Sequence, residues 1–174
     1  MLNNSEVSFL LSLEKKVFDN NNFINTLDVS GKWPFQYKFT LSSPQNTDYL
    51  FLYDINQSAK NRFKITLYLM DSDSKIGLLR VDFHGQHKNP EQINEHVPEF
   101  LKPYAGMFFD YHQHHIHIYV KGYKTTLDWA MPLTNHEFAV KNISSQKDIL
   151  DAFGEFNKYI NLKTSFEIQL ASEI

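Results

Sequence analysis

The chain has 174 residues, no cysteine and a formal net charge of -3, with a sequence pI of about 6.2. Without Cys there are no disulfides, zinc ribbons, thiol nucleophiles or iron–sulfur ligands, so any metal must be held by His, Asp or Glu. The mild acidity removes a general affinity for phosphate backbones. Fifteen Phe and nine Tyr within a 42% hydrophobic composition are enough to fill one core, and a chain of this size buries roughly 70% of its unfolded surface on folding.

The start, MLNNSEVSFLLSLEKKVF, carries no basic segment ahead of its apolar run, and no uncharged apolar stretch reaches the ~18 residues needed to span a bilayer. The expectation is a soluble, cytoplasmic protein with no membrane partner. Over 5–18, Val7, Leu10, Leu11, Leu13 and Val17 fall near helical spacing, with Asn4 or Ser5 placed to cap the first turn. The Asn run at 20–22 ends that helix, since Asn tolerates left-handed conformations, and a loop follows to about Gly31.

Alternation then predicts strands over 35–41, 49–55, 62–69 and 76–84, with Leu79, Val81 and Phe83 on one side of the fourth and Arg80, Asp82 and His84 on the other. Short turns between them make an antiparallel meander the economical topology. The segment 86–110 breaks the rhythm with prolines and no sustained period beyond a helical turn within 91–101; it reads as an insertion loop inside a single domain spanning 1–174. A His-rich strand follows over 114–120, then a turn at Gly122 or 124–126, and a sixth strand over 129–133. Ser144 and Ser145 cap a helix to about Leu162, whose Ile149, Phe153, Phe156 and Ile160 form one apolar stripe. The last residues, 165–174, are a short strand or a tail. The predicted fold class is α+β: a mainly antiparallel sheet of five or six strands, with an N-terminal and a C-terminal helix on one face.

The His-rich strand sends Ile116, Ile118 and Val120 one way and His115, His117 and Tyr119 the other. If it neighbours the fourth strand in the register that buries the aliphatics, His115 and His117 share a face with Arg80 and Asp82, and His87 arrives from the loop. Asp82, His87, His115 and His117 then form a candidate shell for a divalent transition metal. Asp82, His115 and His117 are the candidate catalytic groups, for acid–base work or for a metal-bound water. Arg80, His87, Tyr119, Tyr123 and Trp129 are candidate binding residues, Arg80 for a phosphate and an aromatic for a base. The same pattern also fits a half-exposed face of cross-strand pairs. On such an open face His117→Ala should change stability by only about 0.5 kcal/mol, against roughly 2 to 5 kcal/mol for Ile118→Ala under a helix. The HExxH, P-loop, GxSxG and histidine-triad patterns are all absent.

Arg80, Asp82, Gly85, His87, Asn89 and Pro90, followed by His115, His117, Ile118, Tyr119, Gly122, Tyr123, Trp129, Ala130, Pro132 and Leu133, fall in the order of motifs of a family of small uncharacterised bacterial proteins, and over roughly the C-terminal 100 residues the chain resembles that family (DUF6978-like). The family pattern continues Asn-Pro-Asp-Gly and soon reaches its His-x-His, whereas here Pro90 is followed by Glu91, Gln92 and a long insertion. The resemblance implies prophage or mobile-element origin and a defence, counter-defence or toxin–antitoxin context, with no settled activity. Two functions are expected from the residues themselves. One is an interaction or regulatory protein that binds another protein through Phe100, Tyr104, Met107 and Phe108 of the insertion. The alternative is a metal-dependent phosphodiesterase or nuclease at the His-rich face. A protein is the favoured partner, a nucleotide or nucleic acid being disfavoured by the net charge.

Overall fold

The computed structural model describes residues 2–125 and 127–170. Helix α1 (Asn4–Ser12) is capped by Asn3, whose side chain accepts from the Glu6 amide while the Glu6 carboxylate accepts from the Asn3 amide. This reciprocal pair satisfies two of the free donors of the first turn. The helix stops at Ser12 rather than running to 18, because Lys15 and Val17 are buried at alternate positions and the chain there is strand β1 (Lys16–Asp19). Asn20 and Asn21 take φ of 48° and 63°, the two consecutive left-handed residues of a tight hairpin turn. The Asn run therefore reverses a strand instead of ending a helix. What reads as loop beyond it holds β2 (Asn22–Ile24) and β3 (Thr26–Gly31).

The meander is present as expected: β4 (Gln36–Ser43), β5 (Asn46–Gln57), β6 (Ile65–Asp71) and β7 (Gly77–Phe83) pair antiparallel in sequence order. Strands β8 (His87–Lys88) and β9 (Phe108–Phe109) form a separate two-stranded ribbon within the excursion. Only turns occupy 91–101, and a 3-10 turn follows at Lys102–Tyr104. The chain re-enters the sheet as β10 (His115–Ile118) beside β7 and continues into β11 (Trp129–Pro132). The main sheet has eight strands in the order β11-β10-β7-β6-β5-β4-β1-β2, more than the five or six expected, because the N-terminal hairpin extends it. The expected turn at 122–126 includes Thr126, which lies outside the described residues. Helix α2 (Gln146–Tyr159) is capped by Ser145 and Asp148. Strand β12 (Ser165–Leu170) pairs parallel with β3, while the end of the expected strand or tail, 171–174, lies outside the described residues.

One sheet face is largely apolar, carrying Leu41, Phe51, Tyr53, Ile55, Ile65, Leu67, Val81 and Ile116, all essentially without solvent contact. Helix α2 lies on it, with Phe153 and Phe156 stacked on Tyr53 at 6.1 and 5.4 Å. Helix α1 contributes Val7 and Leu10 to the same core. The two helix ends meet at the fully buried Lys15. Its ammonium donates to the carbonyls of Leu10, Leu11, Leu13 and Ile160 at 2.6 to 3.0 Å and sits 4.8 Å over the Phe51 ring. These are carbonyls left without intrahelical partners, at the negative end of each helix dipole. Among the described residues no helix is long and apolar enough to cross a membrane.

Candidate functional site

The opposite face is polar where β6, β7 and β10 run together. In the observed register His115 lies opposite Asp82 and His117 opposite Arg80, while Ile116 and Ile118 face Val81 and Leu79. This is the register that buries the aliphatics, since a slip of one residue would have put imidazoles under α2. On the other side of β7, Thr66 lies opposite Asp82 and Tyr68 opposite Arg80.

Asp82 is the centre of the cluster. Its Oδ1 accepts from the Thr66 hydroxyl at 2.6 Å and from Arg80 Nη2 at 3.1 Å. Its Oδ2 faces His117 Nε2 at 3.0 Å and His115 Nε2 at 3.8 Å, and Arg80 Nε lies 2.8 Å away without hydrogen-bond alignment. Burial pushes the Asp82 carboxyl up, but the hydrogen bond and charge of His117, the Arg80 guanidinium and the Thr66 hydroxyl hold it well below the usual carboxylate range. It is an anion at any physiological pH. For His115 burial dominates and, with His117 alongside, brings the imidazole down to about 4, so this ring is neutral. His87 is likewise shifted down by burial and by His117.

His115 Nδ1 donates to the Gln113 carbonyl at 2.8 Å, which leaves Nε2 of this neutral ring without a hydrogen. His117 stands between two acceptors, the Leu127 carbonyl 2.9 Å from Nδ1 and Asp82 Oδ2 3.0 Å from Nε2. Each ring thus turns Nε2 toward the carboxylate. Asp82, His115 and His117 bring one ligand atom each to within 4.8 Å of one another. His87 packs on both rings, with centroids at 4.5 Å from His117 and 5.8 Å from His115. Its Nε2, however, donates to the Asp128 carbonyl, so of the four expected ligands three converge and the fourth lies beside them. Glu95, His96, Glu99 and Asp110 do not join that group.

This face is not open. Asp82, His115 and His117 are 3%, 0% and 3% exposed, because the excursion folds back over them. The ribbon of β8 and β9 places His87 and the buried Phe109 on the His115 ring. Asn89 pins the excursion to β11: its Nδ2 donates to the carbonyls of Ala130 and Tyr104, and its Oδ1 accepts from the Ala130 amide. The small effect expected for His117→Ala assumed an open face and does not apply. Ile118, at the end of β10, is only partly buried. Arg80 is the cluster's route to solvent, with its side chain 43% exposed.

The other candidate residues are dispersed. Tyr119 lies past the end of β10, packs into the core and donates to the Leu2 carbonyl, so it does not share the His face. Trp129 is fully buried, with Tyr123 edge-on to it at 5.7 Å, and cannot stack on a base. The Tyr123 hydroxyl donates to the Gln92 carbonyl and accepts from the Asn94 amide. Tyr104 accepts from Asn135, while Phe100 and Phe108 stand in solvent. His84 leaves the strand at φ 56° and joins a second group, in which its amide donates to His114 Nδ1 and His114 Nε2 donates to Asn142. Thr66 is a contributor that sequence reasoning did not single out, and Asn89 stood there only as a motif residue of the family resemblance, with no role assigned. Thr66 was legible in principle, as the polar position of the third predicted strand that an in-register meander sets opposite Asp82.

Neither a curated protein nor a solved structure matches the chain. A family model does match, over residues 2–162, which extends the resemblance from the C-terminal 100 residues to nearly the whole chain. The chain belongs to the family of unknown function DUF6978.

Proposed function

We propose that the protein is an interaction module that engages another protein through the excursion between β7 and β10. The observation that carries this is where large apolar side chains remain exposed. Phe100 and Phe108 are 53% and 54% exposed, Ile93 and Tyr111 are exposed nearby, and only Phe9 and Trp33 join them from elsewhere among the described residues. Their backbone is already held, by Asn89 on β11, by Asn94 Nδ2 on the Lys121 carbonyl and by the Gly106 amide on the Pro90 carbonyl. Aromatic anchors on a pre-ordered scaffold lose little entropy on binding, which is what makes such residues dominate interfaces. A regulatory role in a defence, counter-defence or toxin–antitoxin setting is the context that the family resemblance supports.

The test is affinity capture from the native host with wild type and with Phe100→Ala/Phe108→Ala. The double variant should keep its fold and lose the partner; equal recovery of the same partner would sink this reading. The alternative, a metal-dependent phosphodiesterase or nuclease, draws support from Arg80, which joins the buried Asp82 to solvent. Turnover of bis(p-nitrophenyl) phosphate that needs added Mn2+ and is lost in Asp82→Asn would favour it.

A further inference from the structure

The geometry points to a divalent transition-metal site formed by Asp82 Oδ2, His115 Nε2 and His117 Nε2. This is independent of whether the excursion binds a partner. The first support is an orphan: His115 is 0% exposed, and its Nε2 has no hydrogen-bond partner among the described residues. A buried, unpaired ring nitrogen is costly unless something occupies its lone pair. The second support is the orientation of the rings. Both set Nδ1 against a backbone carbonyl, Gln113 for His115 and Leu127 for His117, and turn Nε2 toward Asp82. That is the outer-shell arrangement by which proteins aim an imidazole Nε2 at a metal.

The carboxylate is oriented in the same way. Thr66 and Arg80 Nη2 both hold Oδ1, leaving Oδ2 to face the two imidazoles. Tetrahedral ligand atoms about 2.05 Å from a metal lie about 3.3 Å apart. The observed 3.0 and 3.8 Å from Oδ2 to the two Nε2 atoms bracket that spacing, and all three ligand atoms lie within 4.8 Å of one another, so the trio would draw together to share one ion. Arg80 Nε also lies 2.8 Å from Oδ2, but it makes no aligned hydrogen bond there.

The donor set selects the ion. Two imidazoles and one carboxylate suit Zn2+, Co2+, Ni2+ or Fe2+ and do not suit Mg2+ or Ca2+, which take oxygen cages. The carboxylate alone accounts for less: Asp82 Oδ2 serves His117 Nε2 at 3.0 Å and leaves His115 Nε2 orphaned. One cation serves both rings. It would also brace β7 to β10 beneath His87 and Phe109, whose rings rest on the ligand rings.

The experiment uses the full untagged chain, stripped with chelator and titrated with Zn2+ and with Co2+. The expected result is one equivalent per chain, with a Co2+ visible spectrum of low-coordinate form. Proton NMR of the Co2+ form should show two hyperfine-shifted, slowly exchanging imidazole N–H signals, since both Nδ1 hydrogens point at buried carbonyls. His115→Gln should weaken binding at least tenfold, whereas His112→Ala, in the exposed group near His84, should leave it unchanged. Uptake below a tenth of an equivalent by wild type, or full-affinity uptake by folded His115→Gln, would overturn the site. If His115→Gln fails to fold, the wild-type NMR signals decide alone, and absence of the pair overturns it. Metal bound without any phosphodiester turnover would leave the site standing and remove the hydrolytic reading.

Discussion

The apolar face of the eight-stranded sheet and the β7–β10 end of its other face are both closed to water, but by different physics, while Lys38 and its neighbours on β4 leave the rest of that second face open. On one, α1 and α2 cover Leu67, Val81, Ile116 and their neighbours with aliphatic and aromatic side chains. On the other, stretches with almost no regular structure enclose Asp82, His115 and His117: Asn89 fastens the excursion to β11, and the carbonyls of Gln113, Leu127 and Asp128 accept from the three imidazoles. Apolar closure is proportional to area and tolerates small shifts. Polar closure depends on every donor and acceptor being met, because an unmet one in a dry interior costs free energy outright. The helix-covered face is therefore the source of stability, and the loop-covered face is where chemistry can be held ready.

The sharpest test of that division is truncation under α2. Phe156 has no solvent contact and stacks on Tyr53, so Phe156→Ala removes a filled ring volume that the helix and sheet cannot close over. Urea unfolding should show a loss of about 3 to 5 kcal/mol. A loss under about 1 kcal/mol would mean that α2 is not the element that seals the core.

Next in size is the clasp on the other face. Asn89 is 2% exposed and makes three hydrogen bonds across the gap to β11 and Tyr104. Asn89→Ala leaves an amide and two carbonyls unmet, for about 2 to 3 kcal/mol. The signature should also be local: amide hydrogen exchange should speed up over 87–109 more than over β5 and β6. Uniform acceleration would mean that the cover is not a separate unit.

These two faces were unequally legible in sequence. Alternation assigned Ile116 to one side and His115 and His117 to the other, and burial of the aliphatics selected the register, so the Asp82 cluster could be placed before any coordinates. The cover could not. It is aperiodic, and what makes it a lid is a handful of bonds from Asn89, whose partners lie 15 and 41 residues away in sequence, and from backbone carbonyls that carry no side-chain signal. Hence Tyr119 and Trp129 read as site residues when they belong to the core. The N-terminal helix was over-extended for a related reason. Lys15 at an apparently solvent-facing position is in fact buried as a clasp between two helix ends: Leu10, Leu11 and Leu13 are local acceptors, but the Ile160 carbonyl lies 145 residues away and only tertiary structure supplies it.

Lys15 gives the third prediction, since it is the charged exception within the apolar side. Burial lowers its amine from 10.5 to about 7, while the unfolded chain keeps the ordinary value. Between those values the unfolded state binds more protons, so stability must rise with pH across the window and be flat below it. From pH 7 to pH 9 wild type should gain about 2 kcal/mol relative to Lys15→Met, read as the difference between two urea denaturation series. A flat difference would mean that the four carbonyls and the Phe51 ring hold the ammonium charged in the fold as firmly as water does outside it.

The smallest effect is expected where the loop-covered side meets solvent. Phe108 lies opposite Lys88 in the β8–β9 ribbon with more than half its surface in water, while its neighbour Phe109 is fully buried against His115. Alternation along two residues thus separates a structural ring from a free one. Phe108→Ala removes little that is buried and should change unfolding free energy by no more than about 0.5 kcal/mol, whereas Phe109→Ala should cost on the order of 3 kcal/mol. If the excursion is a binding surface, the cheap substitution is the one that abolishes partner capture, because a ring that contributes little to the fold keeps its exposed half for a partner. A Phe108→Ala loss comparable to that of Phe109→Ala would mean that the ring is packed in solution, and the excursion would then be a lid and no more.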